Sequence, residues 1–394
     1  MKSFVSFEVI KKDPFRIFFP LGVLVGIFGS MLWPLAAWRP EVFGYPTEVH
    51  RILMIAGFLL AFVIGFLMTA VPRFTKTSTA SGVELISAVL LLVLSLGAFL
   101  FFGITVFLSG TFLSVLALVR FGSLRFVKRK DNPPSTFVFV GVGILLLGVS
   151  SVLSIFSWSV QTDLLVKNLF SQASVLCLIV GVGSRLLPGI FGWTEIVSAQ
   201  RKIYERPIPF LKAVPKALFA CVVVLIASFF VEAFYMNNLG QWIRAVLISG
   251  IAAYYWKLYR FPINRNFLTA FLWISGWFVL LGIVLNALGV LSHADSLHLL
   301  FIGGFSLMTL MIASRVTIAH CGESPLLNEN SIILLLVGVL IFLSAVGRTL
   351  STFSPAGYLP SLGAFGLAWS VALVIWGVVF IPAMLLTNKD SHND

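Results

Sequence analysis

The sequence predicts an all-α fold: a polytopic membrane protein with twelve transmembrane helices. Three observations carry that expectation. Hydrophobic residues make up 59% of the 394 and charged residues only 11%, against about 25% in a soluble domain. Apolar runs of membrane length, roughly 20 residues, recur from one end of the chain to the other. Lys and Arg fall between those runs, where membrane topology uses them. The formal charge of +12 therefore points to the bilayer as partner and not to nucleic acid.

The runs lie at about 16–38, 49–71, 83–102, 104–120, 137–159, 165–187, 214–234, 241–258, 267–290, 296–316, 331–349 and 358–386. The third and fourth continue through Gly103 with almost no loop, and reading them as one unit would leave eleven spans. The basic residues decide between the two. With twelve spans and a cytoplasmic start, 22 of the 27 Lys and Arg fall inside, and five (Arg39, Arg51, Lys167, Arg244, Arg348) fall outside. Removing one span would reverse every later loop. Both termini are thus expected to be cytoplasmic, with the even-numbered helices running inward from the outer face. The start, MKSFVSFEVIKKDPFR, has no small-residue cleavage pattern and reads as a short cytoplasmic leader.

The longest polar connection, 188–212, separates helices 1–6 (in 1–190) from helices 7–12 (in 213–386), and a polar tail follows at 387–394. That division suggests two pseudo-symmetric six-helix halves in a single transmembrane domain. LMTAVPRFT at 67–75 is similar to LMTLMIASRVT at 307–317, and RLLPGIFGWT at 185–194 has a comparable Pro-aromatic-Thr ending.

Several chemistries lack their signature. Cys177 and Cys221 lie inside apolar runs, Cys321 stands alone and there is no CxxC, which argues against disulfides or a zinc site. No Asp, Glu, Lys or Arg falls near the middle of a run, where ion-coupled transporters usually carry a buried charge. Gln172 and Asn286 are the most deeply placed amides, a common form of helix-packing contact. No Walker loop or HExxH occurs.

The stretch His293 to Glu323, HADSLHLLFIGGFSLMTLMIASRVTIAHCGE, is the most informative. His293 and His298 precede its apolar run, and Arg315 and His320 close it. Topology places His50, His293 and His298 at one depth near the outer face, on two helices running in the same direction. Imidazoles are common ligands of iron and copper, and two from separate helices suit a six-coordinate haem. His293 and His298 are five residues apart, so they would reach one metal only if the chain bent at Asp295. A histidine at a membrane interface can instead simply bond to headgroups or water. His298 stands out because it lies within the apolar run. His392 reads as a solvated tail residue. Arg185 and Arg315 end inward-running spans, as anchors or as partners for an anion.

Three stretches together resemble the NnrS family of bacterial membrane proteins: DPFRIFFPLG at 13–22, GFLMTAVPRFT at 65–75 and HLLFIGGFSLMTLMIASRVTIAHCGE at 298–323. The last matches at His298, Gly303, Met308, Thr309, Leu310, Arg315, His320 and Gly322. The family has a His-x-His-Glu cluster opening its second span, whereas this chain reads TEVHRILM, with His50 alone and no following Glu.

The resemblance implies an inner-membrane protein that binds haem and copper and acts in nitric-oxide metabolism. On that basis His50 and His298 are the expected axial haem ligands and His293 a ligand for copper or a second site. Arg315 and His320 are motif residues without an assigned role. The alternative is a cofactor-free permease of the same topology. Protein partners and an enzymatic reaction are not specified by these residues.

Overall fold

The computed structural model describes residues 2–193 and 209–388. Most of the 188–212 connection and the tail that holds His392 lie outside the described residues. Among the described residues, twelve long helices follow one another: α1 (Phe15–Trp38), α2 (Thr47–Thr75), α3 (Gly82–Phe102), α4 (Ile104–Val127), α5 (Phe137–Leu153), α6 (Val160–Ile190), α7 (Lys216–Phe234), α8 (Asn237–Tyr254), α9 (Phe267–Leu288), α10 (His293–Cys321), α11 (Ile332–Phe353) and α12 (Pro355–Leu385). Ten are long and apolar enough to cross a membrane; α5 is apolar but shorter, and α8 is more polar. The chain is a multi-pass membrane protein.

The helices begin and end where local chemistry dictates. Ser81 starts α3 through a capping box: its hydroxyl accepts from Glu84 N at 3.2 Å, and Ser81 N donates to the Glu84 carboxylate at 2.9 Å. Ser292 and Ser331 cap α10 and α11 in the same way from one side. Gly103 separates α3 from α4 as a single-residue turn at φ +79°, a conformation that glycine adopts without strain. The apparent continuity of those two runs is therefore a tight hairpin.

The helices group in fours. α1 packs on α2, α5 on α6 and α9 on α10, and each of these pairs is followed by a hairpin: α3–α4, α7–α8 and α11–α12. The groups join in a ring, through α4 on α5, α8 on α9 and α12 on α1. The long 188–212 connection, which suggested two six-helix halves, falls between α6 and α7, inside the second of these groups. Loop length reports where the chain leaves the bundle, not which helices share a face. The similar stretches at 67–75 and 307–317 fall on α2 and α10, and the described part of the third, 185–193, begins in the last turns of α6; these are the second helices of the three groups.

Of the ten helices of membrane length those three are the most enclosed, with 83%, 72% and 78% of their apolar stretch buried, whereas none of the other seven exceeds 56%. Each carries a π-helical segment: Leu53–Leu59 in α2, Leu169–Ala173 in α6 and Leu299–Ser306 in α10. A π turn holds an extra residue, shifts the side chains beyond it around the axis, and recurs at functional sites.

The chain closes on itself. Lys2–Phe4 (β1) pairs antiparallel with Leu386–Asn388 (β2), Lys2 opposite Asn388 and Phe4 opposite Leu386. Both ends of the described chain thus sit at one end of the bundle. There Arg16 Nη1 donates to Met384 O at 3.0 Å, and Asp13 accepts from Arg73 Nη2 at 2.8 Å.

Candidate functional site

A predominantly apolar cavity of ≈ 330 Å³ lies at the end of the bundle away from the chain termini. It is framed by α1, α2, α6, α10, α11 and α12 and lined by residues of all three π segments, among them Phe58, Gln172 and Ser306. Its volume is within the range of small-molecule and cofactor sites, roughly 300–1,000 Å³. Two tryptophans close its walls. Trp33 lies edge-on to His50 with ring centroids 5.7 Å apart, and Trp369 Nε1 donates to Ser306 Oγ at 2.9 Å.

Two histidines face this space from different helices. His50, in the first turns of α2, is half-buried, and its Nδ1–H donates to Gly29 O on α1 at 2.9 Å. His298, at the last residue before the π segment of α10, is also half-buried and donates from Nδ1 to Ala294 O at 2.6 Å. Each bond fixes the tautomer and leaves Nε2 with its lone pair and no partner among the described residues. Ligating histidines commonly hold their second nitrogen on a backbone carbonyl in this way. The donor set and its surroundings fit a bis-imidazole haem. Two neutral nitrogens on separate helices meet at an apolar cavity, with cationic side chains at its border.

His293 also lines the cavity. It opens α10, and its Nδ1 donates to Asn286 Oδ1 on α9 at 2.9 Å. The chain does not bend at Asp295. That residue sits in the first turn of a continuous helix, its carboxylate bonded to Arg348 and, at 3.2 Å, to the Tyr358 hydroxyl. Among the described residues no three His, Cys, Asp or Glu side chains come together to hold a metal ion.

The remaining motif residues lie elsewhere. His320 is at the terminal end of α10, where its Nδ1 donates to Val316 O at 2.7 Å and its Nε2 accepts from Arg73. Arg315 pairs with Glu329 at 2.7 Å. Neither lines the cavity.

Cations line the cavity that the histidine pattern does not predict: Arg51, Lys167 and Arg348. Glu48 bridges the first two, at 2.5 Å to Arg51 Nη2 and 3.2 Å to Lys167 Nζ. The sequence does hold a signal for them. They are three of the five basic residues that depart from the inward charge bias. A fourth, Arg244, forms a buried pair with Glu232.

Deeper along α2, α6 and α10 is a second, smaller cavity of ≈ 70 Å³, lined by apolar residues such as Phe62, Leu178 and Ile312 and by Thr309.

In comparison with known proteins, the family model for the NnrS protein matches residues 10–387, which takes in all twelve helices. No curated protein matches the chain.

Proposed function

The chain belongs to the NnrS family, and from that premise we propose that its cavity would hold a haem through the Nε2 atoms of His50 and His298. The observation that carries this reading is the paired geometry of the two imidazoles. Both face one apolar cavity, and both are oriented by a backbone carbonyl on Nδ1. The residues here bind and orient. Gly29 and Ala294 hold the rings, Trp33 and Phe301 pack beside them, and the apolar walls keep water away. When bound and reduced, a haem held by these residues would supply an iron able to bind nitric oxide. A role in nitric-oxide response or detoxification follows from that chemistry, and the small apolar cavity beneath offers space for a gas molecule. His293 is the candidate for a second metal position such as copper, with no third ligand beside it among the described residues.

The same proposal includes twelve crossings, both termini in the cytoplasm and a bacterial inner membrane, with the cavity toward the outer face. Pairing of β1 with β2 supports an even number of crossings, because it joins the two ends of the described chain. Contacts along their lengths support crossings by α5 and α8. Gly143 of α5 approaches Ser174 and Cys177 of α6, and Trp256, just past α8, reaches Ser184 of α6 at 3.1 Å.

The test is an absorption spectrum of the purified protein, oxidised and reduced, with iron and copper measured on the same sample. A Soret band with about one iron per chain is expected, and a shift of the reduced spectrum on adding nitric oxide would show an open position. A colourless, metal-free protein from haem-replete cells would overturn the haem assignment and favour a permease of the same topology.

A further inference from the structure

Among the described residues, three donor atoms of two side chains that line the cavity have no hydrogen-bond partner. Asn168 is only 4% exposed and lines the cavity. Its Oδ1 accepts from Gln172 Nε2 at 3.0 Å, while its Nδ2 is buried without a partner. Arg51, on α2, gives Nη2 to Glu48 but leaves Nε and Nη1 buried and without a partner among the described residues. Its guanidinium rests 5.4 Å from the ring of Phe170, inside the π segment that follows Asn168.

A buried donor without an acceptor costs free energy, more so when it is charged. Such donors at the wall of a cavity can be satisfied by an acceptor that a ligand brings. The local charge points the same way. Arg51, Lys167 and Arg348 line the cavity, and Glu48 and Asp295 are the carboxylates paired with them. Three cations against two anions leave an excess of one positive charge beside an apolar space.

We propose that Arg51 and Asn168 form an oxyanion subsite on the cavity wall, which takes the carboxylate of an amphiphilic ligand whose apolar body fills the cavity. The subsite rests on the haem reading insofar as that carboxylate is a haem propionate. A long-chain fatty acid offers the same chemistry. Arg51 contributes a charged fork and Asn168 a neutral donor from a neighbouring helix, so a carboxylate would be gripped from two sides.

Quenching of tryptophan fluorescence reports binding, since Trp33 and Trp369 line the cavity. The full chain in detergent is titrated with two pairs of ligands: iron protoporphyrin IX and its dimethyl ester, and oleate and oleyl alcohol. The native protein is expected to prefer the acid of one pair by roughly tenfold or more. The porphyrin pair identifies a propionate and the oleate pair a lipid. Arg51→Met should abolish the preference. Isosteric Asn168→Asp, which keeps the shape and adds a repelling charge, should reduce it even if Arg51→Met fails to fold. Equal affinity for acid and neutral ligand in both pairs overturns the subsite, as does a preference that survives both substitutions. Failure of both porphyrins to bind overturns the haem reading separately, and the oleate pair then decides the subsite alone.

Discussion

Arg244 and Glu232 pair at 2.5 Å across α8 and α7, with side chains only 2% and 1% exposed. Gln241 donates to the same carboxylate at 3.1 Å, and the guanidinium lies 3.9 Å from the ring centroid of Phe229. Removing one charge leaves the other buried and uncompensated. Glu232→Gln is therefore expected to cost about 3–5 kcal/mol. The double substitution Glu232→Leu, Arg244→Leu should cost less than either single change. Thermal unfolding in detergent measures both, and additive losses would mean that the two side chains do not interact.

His50→Ala and His298→Ala should each abolish or strongly shift the haem spectrum. His320→Ala should leave it unchanged, because His320 bonds to Arg73 at the opposite end of α10. Haem content per chain and the reduced spectrum provide the readout. Full haem in both single variants would show that other groups ligate the iron.

Gly303 lies in the π segment of α10, where an added Cβ would meet the Phe278 ring of α9 at 2.4 Å. Gly303→Ala should lower stability by about 1–3 kcal/mol through overpacking. Gly97→Ala, with nothing within 4 Å of its Cβ, should be neutral or slightly stabilising in the α3 helix. Equal melting temperatures for the two variants would show that α9 and α10 do not approach this closely.

Topology is testable by thiol labelling in a background without the three native cysteines. Phe102→Cys, at the exposed turn after α3, should react with a membrane-impermeant reagent added to intact spheroplasts. Lys128→Cys, exposed just past α4, should react only after lysis. The reverse pattern would invert the orientation proposed above.

Much of the helix plan was legible because lipid imposes a simple rule: a segment must be apolar for the length of the crossing. All twelve runs predicted from the sequence coincide with long helices. Gathering of His50, His293 and His298 at one cavity was legible too, from their common depth. The π segments were not. In α2 and α10 the π segments read LMIAGFL and LLFIGGFS, apolar but for one serine, so an extra residue leaves no mark in the hydrophobic pattern. Arg51, Lys167 and Arg348 were visible only as exceptions to the charge bias, and their reach into the cavity depends on helix rotation. The sequence did not indicate that Asn168 would be left with an orphan donor, because that depends on what Gln172 and Arg51 do in three dimensions.

The packing of α1 on α12 has a consequence for how the molecule is made. Ser30 Oγ lies 2.6 Å from Ser370 Oγ, Gly26 receives Leu373 and Trp369, and the terminal strands continue the seam past the helix ends. Synthesis proceeds from the N-terminus, so α1 is made eleven helices before α12, the helix it packs on most. Until α12 arrives, one long flank of α1 faces lipid or an insertion chaperone. The cavity wall formed by Leu362, Phe365 and Trp369 is also missing for that time. Any large ligand is therefore walled on every side of the cavity only once α12 has packed against α1.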